Sequence, residues 1–166
     1  MSETVLEDMI KGYMNTRQPS YSFGWQGGEP TLMGLDFFRK VTELQQKHGH
    51  SGASVGNGLQ TNAVLIDDAM AEHFAKYSFL AGCSLDGPPD IHNKYRVTAG
   101  GGPSHDLVVN GIETLRKHNV EFNILVLVSQ ANVHRARDVY EYLKGKGFFF
   151  QQYIPCVEFD EAGNLL

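Results

Sequence analysis

Residues 104–132, SHDLVVNGIETLRKHNVEFNILVLVSQAN, contain a helix pattern, a strand pattern and a polar cluster in immediate succession. The helix pattern covers 106–118, and Ser104 is placed to cap its first turn. Its apolar residues recur at helical spacing and are expected to be buried: Leu107, Val108, Ile112 and Leu115. Residues 121–128 are almost wholly apolar, which is typical of a strand covered on both faces in a parallel sheet. The stretch therefore predicts one α/β unit whose strand runs into a polar loop.

The same alternation runs through the rest of the chain. Helix patterns occur at residues 3–14, 35–47, 67–77, 106–118 and 136–144. Strand patterns occur at residues 21–25, 54–59, 79–85, 121–128 and 148–154. Strict alternation of helices and strands predicts a parallel sheet with crossover helices. Because the pattern opens on a helix and closes just after a strand, we expect residues 1–166 to be part of a larger α/β barrel.

Composition and charge exclude several classes of protein. The 166 residues carry a net charge of −5, which lacks the basic footprint of a duplex nucleic-acid binder. No apolar run is long enough to cross a bilayer, and the acidic first residues do not resemble a secretory signal. The two cysteines, Cys83 and Cys156, exclude a disulfide framework and a cysteine-rich metal site built by this chain alone. Cys83 lies in an apolar strand and is predicted to be core. We therefore expect a cytoplasmic, reducing environment.

Polar or glycine-rich clusters follow every predicted strand, at residues 26–30, 60–62, 84–88, 129–132 and 151–156. The carboxyl ends of parallel strands converge on one side of the fold, where ligands bind. The alternative is that glycine, asparagine, aspartate and proline simply make the turns between strand and helix. That alternative explains Gly87 and Pro88 well. It explains four other residues poorly, because glutamine and glutamate are not turn formers: Gln26, Glu29, Gln60 and Gln152.

The cluster at 26–30, QGGEP, is suited to an amino-acid ligand. Gly27 and Gly28 let a ligand approach the backbone closely. The carboxylate of Glu29 can accept charge-assisted hydrogen bonds from an ammonium group. Ser84 offers a hydroxyl and Arg96 a guanidinium, and both can bind a carboxylate. Arg96 could equally be a solvated surface cation.

Five strings resemble a known family: WQGGEP (25–30), LQTN (59–62), SLDGP (84–88), HNKYR (92–96) and QQYIPCVE (151–158). The first resembles a motif of the radical S-adenosylmethionine (SAM) enzymes. Together, in order and spacing, they resemble the anaerobic sulfatase-maturating enzymes, a branch with a C-terminal SPASM domain. The resemblance implies a partial (β/α)6 barrel, in which this chain supplies roughly helix 1 and strands 2–6. Residues 1–166 would then be a radical SAM core domain without the first strand or the SPASM domain.

The resemblance also implies roles for particular residues. Gly27, Gly28 and Glu29 would hold the amino group of SAM, and Ser84 and Arg96 its carboxylate. Three amide side chains would lie nearer a peptide substrate: Gln26, Gln60 and Asn62. The segment 154–157, with Val157, would pass near the adenosine.

The reaction implied is formylglycine formation. A reduced [4Fe–4S] cluster gives one electron to SAM, and the 5′-deoxyadenosyl radical takes a hydrogen from a Cys or Ser of a sulfatase. The implied partners are that sulfatase polypeptide and a reducing electron donor, with no nucleic acid and no membrane.

One departure from the family concerns the cluster. The motif Cys-x-x-x-Cys-x-x-Cys is absent, so the ligands of the cluster are expected outside this chain. No metal ligand and no catalytic acid–base residue is assigned within residues 1–166. The chain alone is therefore expected to be inactive. Two alternatives remain open. One is another peptide-modifying radical SAM enzyme, and the other is a non-catalytic module that binds a nucleotide or an amino acid.

Overall fold

The computed structural model describes residues 1–157 and residue 159. This part of the chain contains six α-helices: α1 (Glu3–Met14), α2 (Gly34–His48), α3 (Asp68–Lys76), α4 (Pro89–His92), α5 (His105–Lys117) and α6 (Ala136–Gly145). It also contains five strands: β1 (Ser20–Trp25), β2 (Ser54–Thr61), β3 (Phe79–Ser84), β4 (Glu121–Val128) and β5 (Gln151–Pro155). A 3₁₀ helix, Pro30–Met33, follows β1. The sequence predicted the ten long elements to within a few residues and missed the two short helical turns.

All five strands are parallel, and their order in the sheet is their order in the chain, β1-β2-β3-β4-β5. Each connection therefore carries a helix between neighbouring strands, as the alternation of patterns predicted. None of the described helices is both long and apolar enough to span a membrane.

The core lies between the helices and one face of the sheet. Alternate residues of β1 are buried there, and Trp25 packs edge-on against Phe37 of α2. Phe38, also from α2, meets Phe74 of α3 in the same geometry. Helix α3 is capped by the residue that precedes it, since Oδ1 of Asp67 accepts a hydrogen bond from the amide of Met70. Aromatic contacts of this kind hold the helices against the sheet, with α2 packed on β1 through Phe37 and α3 packed on β3 through Phe74.

Two expectations about α5 are wrong. Leu107 is 44% exposed, because only one side of the helix faces the sheet. Ser104 does not cap α5 through its side chain. Asn93 does so instead, since its Oδ1 accepts hydrogen bonds from the amides of Ser104 and His105, at 3.0 Å each. The hydroxyl of Ser104 is directed to other partners, described below.

Candidate functional site

The first part of the site is the loop after β1. Gln26, Gly27 and Gly28 are exposed, and both glycines have positive φ, 110° and 47°. A side chain is strained in this backbone conformation, so the turn requires glycine. The loop consequently presents bare backbone groups at the end of the strand, as the sequence predicted.

Glu29 closes this loop. One carboxylate oxygen, Oε1, accepts hydrogen bonds from the amide and the hydroxyl of Thr31, at 3.0 and 2.6 Å. The same oxygen accepts a bond from the hydroxyl of Thr61, at 2.7 Å, and Oε2 accepts one from the amide of Asn62, at 2.7 Å. Glu29 thus ties the end of β1 to the end of β2.

This arrangement limits what Glu29 can bind. A carboxylate has about four lone-pair positions, two on each oxygen. Oε1 accepts from three donors, which share its two positions, whereas Oε2 accepts from one donor and uses one of its two positions. The position that remains for an external ammonium group is therefore on Oε2.

Three polar side chains lie on one face of the sheet, with Leu125 between two of them. Gln60 lies beside Gly82 in the register, and Ser84 lies beside Leu125, which in turn lies beside Gln152. Because side chains alternate along a strand, Gln60, Ser84 and Gln152 share the face opposite to the buried one. We call this the polar face. Its amides offer both donors and acceptors to a peptide backbone.

Asn62 lies just beyond the polar face. Its Oδ1 accepts a hydrogen bond from the amide of Val64, at 3.0 Å. Its amide nitrogen has no hydrogen-bond partner among the described residues and can serve an external acceptor.

Cys83 lies on the buried face. The side chain has no exposure, and burial, with a smaller contribution from the charge of Glu29, raises the pKa of its thiol to about 12. A thiol in this state is neither a nucleophile nor a metal ligand near neutral pH. The interpretation of Cys83 as a core residue is confirmed.

Arg96 lies in a cleft of about 570 Å³ beyond the carboxyl ends of β3, β4 and β5. The residues that line it are Asp86, Tyr95, Arg96, Leu127, Val128, Ser129, Gln130, Val133, Pro155 and Cys156. Arg96 is not a solvated surface cation, because its guanidinium forms a two-point ion pair with the carboxylate of Asp86. Ser84 and Glu29 lie outside this lining, and Val157, which follows β5, is 58% exposed.

A second cleft, of about 390 Å³, lies near His50 and Ser51, which precede β2. It is therefore at the amino end of the sheet, whereas ligands of parallel α/β folds bind at the carboxyl end. The predicted site residues all lie at the carboxyl end.

The described residues do not provide a metal centre. No group of three His, Cys, Asp or Glu side chains among residues 1–157 and 159 is placed to hold a metal ion. Cys83 and Cys156 belong to different strand ends, and Cys83 is buried. These residues do not fit a [4Fe–4S] cluster, which needs thiolates from several cysteines.

Residues 1–143 match the family model described as the radical SAM superfamily. The chain belongs to this superfamily. The open sheet of five parallel strands is part of the radical SAM barrel, so the predicted fold class is confirmed. SAM and a [4Fe–4S] cluster are the cofactors of radical SAM proteins.

Two curated relatives are sulfatase-maturating enzymes. The chain is 42% identical over 166 residues to the cysteine-type anaerobic sulfatase-maturating enzyme of Clostridium perfringens. It is 37% identical over 159 residues to the serine-type enzyme of Bacteroides thetaiotaomicron. These matches cover 99% and 95% of this chain but only 45% and 38% of the relatives. The radical SAM chain thus spans less than half the length of these two relatives.

A solved structure agrees with the sequence matches. The radical SAM chain superposes on native anSMEcpe with bound AdoMet and Kp18Cys peptide with a TM-score of 0.93 and 42% identity. The superposition covers 95% of this chain and 44% of the other. The resemblance to sulfatase-maturating enzymes that the five strings carried is confirmed.

Several residues of the site were missed in the sequence. Thr31 and Thr61, which donate hydrogen bonds to Glu29, were not singled out. Asp86, which pairs with Arg96, was not singled out either. Asp86 stands in the quoted string SLDGP, directly after the strand, and that position was the available signal. Of the string QQYIPCVE, residue 158 lies outside the described residues.

Proposed function

We propose that residues 1–166 are a radical SAM core domain of an enzyme that oxidises a Cys or Ser of a sulfatase to formylglycine. The observation that carries the proposal is the match, at a TM-score of 0.93, to an enzyme of this kind with AdoMet and a peptide bound. Relatives of both the cysteine and the serine type are similar to this chain, so either residue is a candidate substrate. A cytoplasmic location and a reducing electron donor belong to the same proposal.

The residues present fit SAM. In this proposal the ammonium group of SAM binds the open position on Oε2 of Glu29 and the backbone groups of Gly27 and Gly28. Ser84 and Arg96 bind the carboxylate, and Val157 lies near the adenosine. Bound SAM supplies the radical that removes a hydrogen atom from the substrate.

Charge supports this assignment. Glu29, Asp86 and Arg96 together carry a net charge of −1, and SAM, with its sulfonium, ammonium and carboxylate, carries +1. A site and a ligand of opposite net charge attract each other, most strongly where water is excluded.

The peptide would lie along three amide side chains at the carboxyl ends of β1 and β2. Gln26 and Gln60 have side chains that can both donate and accept, and Asn62 keeps its amide nitrogen available. This combination matches the alternating groups of a peptide backbone. It supports a polypeptide substrate rather than a small apolar one.

The [4Fe–4S] cluster is assigned no ligand in this chain, since the described residues do not fit one. The proposal places those ligands outside residues 1–166. The role of this chain is to bind SAM and peptide and to shield them from water.

The test uses the native reading frame extended in both directions, purified and reconstituted without oxygen. SAM, dithionite and a Cys- or Ser-containing sulfatase peptide are added. We expect 5′-deoxyadenosine together with a peptide mass change that matches formylglycine. Deoxyadenosine with an unchanged peptide would overturn the substrate and leave another peptide-modifying radical SAM enzyme. Iron-loaded protein that forms no deoxyadenosine would overturn the SAM assignments.

A further inference from the structure

Asp86 and Arg96 form a two-point ion pair in the cleft. Nε of Arg96 donates to Oδ2 of Asp86 at 2.6 Å, and Nη2 donates to Oδ1 at 3.2 Å. Asp86 is 7% exposed, so the pair is shielded from solvent on the carboxylate side. Two parallel bonds of this kind fix the plane of the guanidinium as well as its position.

The carboxylate of Asp86 is itself held in place by β4. Its Oδ1 also accepts a hydrogen bond from the amide of Leu127, at 2.8 Å. The side-chain amide of Asn132 donates to the carbonyl oxygens of Asp86 and Leu127, at 3.3 and 2.9 Å. Asp86 therefore has one position relative to the ends of β3 and β4.

The backbone of Arg96 is fixed by a second set of bonds. The hydroxyl of Ser104 donates to the carbonyl oxygen of Arg96 at 2.8 Å, and lies 3.1 Å from Nε2 of His92. Nδ1 of His92 accepts a bond from the amide of Asp86, at 3.2 Å. These contacts close a ring of four residues, Asp86, His92, Ser104 and Arg96. Arg96 is thus held at both its backbone and its guanidinium.

The ring leaves one edge of the guanidinium open. Nε and Nη2 are engaged by Asp86, whereas no residue in the described part of the chain bonds to Nη1. A carboxylate ligand that enters the cleft can therefore meet Arg96 through Nη1 and the second hydrogen of Nη2. The negative charge of Asp86 also offsets the positive charge of Arg96. The orientation of the guanidinium therefore matters more for binding a ligand carboxylate than its charge does.

We propose that Asp86 is a positioning residue, which sets the edge of Arg96 that binds the carboxylate of SAM. The inference rests on the proposed function, because it takes SAM as the ligand of Arg96. It adds that the Asp86–Arg96 pair acts as one unit, and that a positive charge alone at position 96 does not suffice.

The test is a double-mutant cycle on SAM affinity, measured by equilibrium dialysis with the reconstituted, extended protein. Asp86→Asn removes the two-point pair, and we expect the dissociation constant for SAM to rise about tenfold or more, the range for a charge-assisted hydrogen bond. Arg96→Ala should weaken binding at least as much. The double variant should bind no more weakly than Arg96→Ala, because Asp86 acts through Arg96. Additive losses would overturn the proposal.

The control is the exposed pair Asp90–Arg135, the same two residue types outside the cleft. Asp90→Asn should leave SAM affinity unchanged. If Asp86→Asn does not fold, Arg96→Lys gives an independent answer, since lysine keeps the charge but not the planar fork. We expect Arg96→Lys to bind as weakly as Arg96→Ala, and affinity equal to that of the unaltered protein would overturn the proposal.

The same measurements distinguish a failure of the proposed function from a failure of the positioning role of Asp86. If the unaltered protein binds no SAM, the proposed function itself fails. If it binds SAM and Asp86→Asn binds equally well, only the positioning role fails.

Discussion

The carbonyl oxygen of Ala63 lies 1.9 Å from the position that a Cβ on Gly111 would occupy. Helix α5 therefore touches the loop after β2 through bare backbone. Ala63 is buried with a positive φ of 59°, and its amide donates to the hydroxyl of Thr61. Thr61 in turn donates to Glu29. A glycine on an outer helix is thus connected, through three contacts, to the carboxylate of the candidate SAM site.

Gly111→Ala should destabilise the protein. The added methyl group would overlap a backbone atom, which cannot move away as a flexible side chain can, and we expect a loss of about 1–3 kcal/mol in the free energy of unfolding. Denaturant unfolding measures it. Gly12→Ala in α1 is the matched control, since nothing lies within 4 Å of its Cβ position, and it should gain up to about 1 kcal/mol. Equal effects of the two substitutions would contradict the close approach.

Glu29→Ala should lower SAM affinity by about 1.5–3 kcal/mol, because a charged hydrogen-bond acceptor is lost. The end of β1 is also released from Thr61 and Asn62. Equilibrium dialysis with SAM measures the change. Glu43→Ala removes an exposed carboxylate paired with Lys40 and should have no effect. Unchanged affinity in Glu29→Ala would refute the assigned role.

Gln60→Ala should uncouple SAM cleavage from peptide oxidation. Gln60 lies on the polar face and outside the lining of the cleft that holds the Asp86–Arg96 pair, so we expect deoxyadenosine formation without peptide to be spared. The rate of peptide oxidation should fall about three- to tenfold, as for one neutral hydrogen bond. The exposed Gln46 of α2 provides the control, Gln46→Ala. Equal loss of both activities in Gln60→Ala would place this side chain in the SAM site instead.

His92 should make stability depend on pH. Burial lowers the pKa of His92 from 6.5 to about 4 in the folded protein. The unfolded chain therefore takes up the proton first, so the contribution of neutral His92 is present above pH 6.5 and is lost as the pH falls towards 4. The shift corresponds to roughly 3 kcal/mol.

Urea unfolding at pH 7 and pH 4 checks this dependence. Wild-type protein should lose roughly 3 kcal/mol more than His92→Gln between the two pH values. His134→Gln, at an exposed position, should behave like the wild type. A parallel decline in His92→Gln would show that other groups cause the pH dependence.

The sequence predicted features that depend on neighbouring residues better than contacts between residues far apart in the chain. Residues 3–14 and 121–128 were predicted with the bounds that the structure has, because periodicity and apolar runs are local signals. Glu29 was singled out, but its partners Thr61 and Asn62 lie 32 and 33 positions away, and no local pattern encodes that contact.

Asp86 shows the same limit. Its partner Leu127 is 41 positions distant, so the pair could only be found once the strands were placed side by side. The prediction of the α5 cap failed for a related reason, because Asn93, which caps the helix, lies 11 positions before Ser104 in the chain.

The strand order has an evolutionary consequence. Since neighbouring strands are also consecutive in the chain, the polar residues at the carboxyl end of each strand come from one strand–helix unit. The unit that carries Gln60 also carries Thr61 and Asn62, the partners of Glu29, so its exchange by recombination would disturb the loop after β1. Asp86 and Arg96 belong to one unit, and their pair can therefore pass intact into a new gene.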